Sequence, residues 1–338
     1  MITTAIIGAG RMGRRHIEMV RQLGLELVGV CDSQSAALVL AATDQAVPEH
    51  LLFSDAATML SRTTPACVIV ATTAPSHCEY TCLAAELGAK FILCEKPMAV
   101  SLNECDRMIR VCTRHGARLA INHQMRFMQQ YIVPKRLLAS PVLGGLTSVT
   151  VVAGNFGMSM NGIHYFEMFR FLTDEPVSAV SAWFSDEHVP NPRGSHFVDR
   201  AGSIRLSTPS GKRFYIESGA DQGHGIVVVY GARYGQIVVD ELAVTLRYSA
   251  RLEAHREQAT TRYGMPWFEN SEPIAVNIIE VSGSVLTALL QEKNYPSGED
   301  GRSALRTLVA AYLSTENGNR TVDPRSPDMP AARVFPWA

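Results

Sequence analysis

The chain has no apolar run approaching the ~20 residues that span a bilayer. Ala66-Cys67-Val68-Ile69-Val70-Ala71 is short and reads as a buried strand. The start, Met1-Ile2-Thr3-Thr4, lacks a basic leader and a cleavage site and runs straight into a strand pattern, which predicts a cytoplasmic protein. Charge excess is missing too: 31 Lys and Arg against 32 Asp and Glu leave a net charge of −1. That balance argues against a general nucleic-acid binder. No cysteine lies beyond Cys112, the seven are odd in number, and no Cys-x-x-Cys pair occurs. Cys78 and Cys82 sit four apart with no second ligand pair at metal spacing. Reduced, mostly buried thiols are expected, with no disulfide framework and no metal. Internal repeats and low-complexity tracts are also absent.

What remains is an ordinary globular composition, 46% hydrophobic and 19% charged over 338 residues, long enough for two domains. The first stretch alternates strand and helix patterns. Strands are predicted at Thr3–Ile7, Glu26–Cys31, Ala66–Ala71, Lys90–Cys94 and Leu119–Asn122. Helices are predicted at Met12–Leu23, Ser35–Thr43, Ala56–Ser61, His77–Leu87 and Leu102–His115. This alternation builds a doubly wound parallel sheet, a Rossmann domain over residues 1–122. After Pro141-Val142-Leu143-Gly144-Gly145 the period changes to two. Segments from Thr147–Ala153 to Val244–Tyr248 alternate, which predicts an open, mainly antiparallel sheet with one buried face. Helices return near Asn277–Gln291 and Arg302–Leu313. An α+β domain is therefore expected over 123–315, with a proline-rich extended arm over 316–338.

Gly8-Ala9-Gly10-Arg11-Met12-Gly13 is a G-x-G-x-x-G pattern between a strand and a helix. Gly8 permits the tight turn, Gly10 lets the backbone approach a pyrophosphate, and Gly13 lets helix and strand pack closely. The helix N-terminus, carrying Arg11 and Met12, then receives the anion. Asp32 ends the second strand, where a carboxylate can accept from the adenosine ribose; its alternative role is as a turn or capping residue. No Lys or Arg occurs between Arg21 and Arg62 to meet a 2′-phosphate. NAD is favoured, and distant cations such as Arg11 leave NADP open.

From Glu95-Lys96-Pro97 onward the chain resembles the Gfo/Idh/MocA oxidoreductases, which include glucose–fructose oxidoreductase and inositol dehydrogenases. The likeness runs nearly end to end. It rests on the glycine pattern, Ala71-Thr72-Thr73-Ala74-Pro75-Ser76-His77, Glu95-Lys96-Pro97, Asn122-His123-Gln124-Met125-Arg126-Phe127, Gly162-Ile163-His164 and Ser297-Gly298-Glu299-Asp300-Gly301. The resemblance adds Thr72, Thr73, His77, Glu95, Lys96, Asn122 and Gln124 to the cofactor-binding candidates. It implies that Lys96 lies beside the nicotinamide and polarises the reacting oxygen, and that His164 is the acid–base partner. It also implies a homodimer or homotetramer formed through the second-domain sheet. The plainer alternatives are a solvated loop lysine and a hydrogen-bonded core histidine.

One departure stands out. Competent relatives carry Asp four residues before this histidine, and here Met160 stands there. Asn161 and Glu167 are the nearby groups that could substitute. Arg126, Asn155, Asn161 and Tyr165 join Lys96 and His164 as candidates for binding a hydroxylated substrate; Arg126 is equally suited to a structural salt bridge. His196, Asp199, Arg200, Asp221 and His224 show no metal spacing and read as surface or pocket-rim residues. The expected activity is NAD-dependent hydride transfer at a carbinol carbon of a sugar, polyol or nucleotide sugar. The alternatives are an NAD-dependent glycosidase of the same fold and, because of Met160, a non-catalytic cofactor-binding protein.

Overall fold

The computed structural model describes residues 1–258, 266–275 and 277–337; the other positions of the expected second domain, and Ala338 of the arm, lie outside them. By contacts the chain forms two compact units: Met1–Gln124 with Asn277–Leu305 and Pro330–Ala338, and Met125–Val276 with Arg306–Met329. Residues 277–305, placed by the sequence pattern in the second domain, thus join the first. The tail is shared between the two units.

In the first unit, β1 (Thr3–Ile7), α1 (Arg11–Gln22), β2 (Glu26–Cys31), α2 (Ser35–Gln45), β3 (Leu52–Phe53), α3 (Ala56–Thr63), β4 (Cys67–Val70), α4 (Ala74–Glu86), β5 (Phe91–Cys94), α5 (Leu102–Arg114) and β6 (Arg118–Ile121) alternate. Six parallel strands take the order β3-β2-β1-β4-β5-β6. Helices cover both faces of such a sheet, so its central strands are apolar throughout. Cys67, Val68, Ile69 and Val70 are accordingly all fully buried. The strand β3 has only two residues, too few to show a period. The helix α4 begins three residues ahead of the expected His77, because Pro75 stands in its first turn, where a missing N–H is harmless. All seven cysteines are free and buried, as their spacing suggested.

The second unit holds α6 (Gln129–Leu138), β7 (Leu146–Gly154), α7 (Ile163–Thr173), β8 (Ala179–His188), β9 (Arg200–Ser207), β10 (Arg213–Gly219), β11 (Val227–Ala232), β12 (Gly235–Asp240), β13 (Thr245–Arg251) and β14 (Trp267–Pro273). Eight strands run in the order β14-β13-β12-β11-β7-β10-β9-β8. All pairs are antiparallel except β10 with β7. Alternation buries one face: Val149, Val151 and Ala153 of β7 meet Phe214 and Ile216 of β10 and Val228 and Tyr230 of β11. Two elements escaped the sequence pattern. Pro134 lies inside α6, and the edge strand β14 carries mostly exposed polar residues with no buried row.

The chain closes with α8 (Ile278–Leu290) and α9 (Gly298–Glu316). The Asn277 side chain caps α8 by accepting the Glu280 N–H at 3.3 Å. The tail is anchored rather than a free arm. Arg306 donates to the carbonyls of Pro324 (2.6 Å) and Ser326 (2.9 Å) in the second unit. In the first unit Phe335 and Trp337 are buried and stacked at 4.5 Å, and Trp337 donates to the Ala99 carbonyl at 3.0 Å.

Candidate active site

In the first unit the glycine turn is built for close approach. Gly8 has φ +100°, and a Cβ there would sit 2.7 Å from the Ala71 backbone. A Cβ on Gly13 would lie 1.8 Å from the Gly8 carbonyl oxygen, so α1 is held against the strand end. Above Gly10 the space is open: an added Cβ would meet nothing within 4 Å. Gly10 caps α1 without a side-chain bond, and the first turn, with exposed Arg11 and half-buried Met12, carries no acid. Free N–H groups, a positive helix end and an open approach together fit a pyrophosphate.

Asp32 fills the turn role that was its alternative reading. Its Oδ2 accepts the Ala9 N–H at 2.8 Å and its Oδ1 accepts the Gln34 N–H at 2.9 Å. A carboxylate has about four acceptor positions, so this half-buried group retains capacity for ribose hydroxyls while fixing the glycine turn. Its charge also opposes a 2′-phosphate.

Glu95 is the hub of the first unit's site. Its Oε1 accepts from His16 and from the Asn122 amide, each at 2.8 Å, and its Oε2 accepts the Lys96 N–H at 3.3 Å. Burial pushes the Glu95 carboxyl up, but His16, Asn122 and the Lys96 charge outweigh it and hold it at about 2. Glu95 and Asn122, expected as cofactor contacts, are therefore buried and bonded to each other, one step beneath Lys96. His16 was missed from the sequence. It lies three residues after Gly13 on the buried face of α1 with Ile17 and Val20, a spacing that reads as core.

The half-buried Lys96 enters a cis peptide with Pro97. His77 braces that turn: its Nδ1 lies 2.9 Å from the Pro97 carbonyl and its Nε2 lies 3.1 Å from the Thr72 carbonyl. Thr72 also accepts from the Ser76 hydroxyl at 2.8 Å, and Thr73 immediately precedes α4 as its cap. The Thr72–His77 segment and the Lys96 turn are thus one hydrogen-bonded assembly. Gln124 holds a buried amide oxygen with no hydrogen-bond partner among the described residues.

In the second unit His164 lies in the first turn of α7, 8% exposed. A wide turn, Met158–Gly162, leads into it, with the Gly162 N–H bonded back to the Gly157 carbonyl at 3.2 Å. Asn161, half-buried, belongs to this turn. Insertions of this kind cluster at functional sites. Asp199, read from sequence as a rim residue, is buried. Its carboxylate accepts the N–H of Ser159 at 2.8 Å and of Met160 at 2.9 Å. Gly157 makes room for it: a Cβ there would lie 2.0 Å from the carboxyl carbon.

Arg126 and Glu167 form a buried two-point ion pair. Arg126 Nε donates to Glu167 Oε1 at 2.6 Å, Nη2 contacts the same oxygen, and Arg170 lies 3.7 Å from it. The structural alternative for Arg126 is therefore realised, and Glu167 is committed to arginines. Tyr165 is also buried and donates to Glu241 at 3.1 and 3.2 Å; Asn155 is exposed, with φ +47°. Metal-ligand clusters are absent among the described residues. No described helix is long and apolar enough to cross a membrane.

Comparison with known proteins supports the resemblance. Residues 2–123 match the oxidoreductase family GFO_IDH_MocA, NAD-binding Rossmann fold. Over those residues the chain is similar to the Rossmann domain of the Gfo/Idh/MocA oxidoreductases. It is 27% identical to a D-apiose dehydrogenase of Paraburkholderia graminis, over 98% of this chain and 92% of that protein. It is 25% identical to an inositol 2-dehydrogenase of Serratia proteamaculans, over 96% and 98%. The fold matches an Agrobacterium radiobacter oxidoreductase solved with NAD+, L-tartaric acid and magnesium, with a TM-score of 0.80 at 19% identity over 96% and 98% of the two chains. An NAD-binding oxidoreductase is thus the assignment that the sequence pattern anticipated.

Proposed function

We propose that the protein is an NAD-dependent dehydrogenase of a carbinol carbon in a sugar, polyol or nucleotide-sugar derivative, with Lys96 and His164 at the reacting centre. The observation that carries this reading is the Glu95 hub, which ties Lys96 to His16, Asn122 and the glycine-loop helix. Relatives named for D-apiose and inositol dehydrogenation support the substrate class.

When bound, the nicotinamide supplies the hydride acceptor. Lys96 holds the substrate oxygen with its ammonium and stabilises negative charge developing there. His164 takes the hydroxyl proton at a ring nitrogen. The Lys96 backbone is fixed by its N–H bond to Glu95, and the adjoining Pro97 carbonyl is braced by His77. Steady formation of NADH distinguishes this reaction from transient oxidation in a glycosidase.

Lys96→Met is the direct test. NADH affinity should stay within about threefold while turnover falls by about 10²-fold or more. An unchanged rate contradicts the assignment.

The second-domain sheet is also our proposed self-association surface. Val152, Tyr215 and Trp183, 36%, 37% and 49% exposed, lie on its outer face on β7, β10 and β8. Light scattering should give a dimer or tetramer, and a monomer at micromolar concentration contradicts it.

A further inference from the structure

We infer that Glu241, with Tyr131 and Tyr165, is a hydroxyl-binding station in the second unit that selects neutral polyhydroxylated substrates over anionic ones. The inference rests on the dehydrogenase reading and narrows its substrate class. Alternation along β12 puts Glu241 on the same side as buried Ile237 and Val239, one step past the end of the strand. Its N–H donates to the Ile226 carbonyl at 2.9 Å, which fixes the backbone. Tyr131 donates to Oε1, and Tyr165 donates to both oxygens.

This cluster is a costly way to fill a core. Tyr131 and Tyr165 are buried, and burial raises the Glu241 carboxyl above its ordinary range against the lowering pull of their hydroxyls. A desolvated, partly accessible carboxylate with a shifted pKa is a candidate functional position. Its placement agrees. Tyr165 directly follows His164 on α7 and stacks on Phe156 at 6.0 Å. Asn155 precedes that phenylalanine and is exposed. The exposed loop at 222–224 lies against Gly154, where a Cβ would approach the Gln222 carbonyl to 2.4 Å. One end of the sheet therefore gathers Glu241, Asn155 and His224 around the His164 turn.

The charge of this end sets the ligand class. Glu241 accepts hydrogen bonds and repels anions. The arginine best suited to receive a carboxylate or phosphate, Arg126, is already engaged by fully buried Glu167. Neutral hydroxyls are the complement, with Oε2 retaining an acceptor position beyond its Tyr165 bond.

The test is NADH formation with a fixed panel, myo-inositol, D-glucose, D-apiose and glycerol against L-tartrate, D-gluconate and D-glucuronate. Wild-type protein should favour a neutral member at least tenfold in kcat/KM. Glu241→Gln, which keeps the shape and the Tyr131 contact, should raise KM for that member about tenfold with kcat within about threefold. Preference for an acid overturns the inference, and so does an unchanged KM in a folded Glu241→Gln protein. The wild-type comparison needs no variant, so it stands even if Glu241→Gln fails to fold. Turnover of a nucleotide sugar such as UDP-N-acetylglucosamine but of no panel member overturns the inference while the dehydrogenase reading stands; absence of turnover with all of them contradicts both.

Discussion

The buried carboxylate of Asp199 accepts the backbone N–H of Met160 at 2.9 Å. Met160 occupies the position where the family resemblance leads one to expect an aspartate. Its side chain cannot orient an imidazole, yet its backbone is held by a carboxylate from 39 positions away. The turn that delivers His164 is therefore organised by an acid that no local motif reveals.

Asp199→Ala leaves two buried N–H groups without their acceptor. Charge-assisted hydrogen bonds of this kind contribute about 1.5–3 kcal/mol each, so the second unit should lose about 3 kcal/mol or more. Urea unfolding followed by tryptophan fluorescence measures this. A loss under about 1 kcal/mol would show that the turn holds itself.

Glu95 makes stability depend on acid. Its folded pKa, about 2, lies below that of an unfolded glutamate, so its contribution is fully present above the unfolded value. It is lost as pH falls from about 4.5 to about 2. The shift corresponds to about 3 kcal/mol. Wild-type stability should therefore fall more steeply across that window than that of Glu95→Gln, read as urea midpoints at each pH. Parallel curves would contradict the Glu95 account.

The C-terminal residues are expected to matter more than a tail usually does. Trp337 is fully buried, stacks on Phe335 and bonds the Ala99 carbonyl three residues past Lys96. Trp337→Ala should cost about 3–5 kcal/mol. Hydrogen exchange should also rise in the segment following Lys96. Wild-type exchange there would show that the tail does not support it.

The Rossmann half was legible because its signals are local. A strand, three glycines and a helix follow within a dozen residues, and Asp32 closes the next strand. The family motifs then located Lys96 and His164 by order alone. What escaped was chemistry assembled across sequence distance. His16 meets Glu95 from 79 positions away, and Tyr131 meets Glu241 from 110 positions away. Arg126 looked equally suited to a ligand or to an ion pair, and only the fold brings Glu167 to it. The first unit's second segment, 277–305, was hidden for the same reason, since no periodicity says which sheet a late helix will cover.

The most direct measurement is a fluorescence titration of ligand-free protein with NADH and NADPH in parallel, for wild type and Asp32→Ser. The account predicts that wild type binds NADH at least about tenfold more tightly than NADPH, and that Asp32→Ser narrows the gap. NADPH binding equal to or tighter than NADH, or no binding of either, would contradict it.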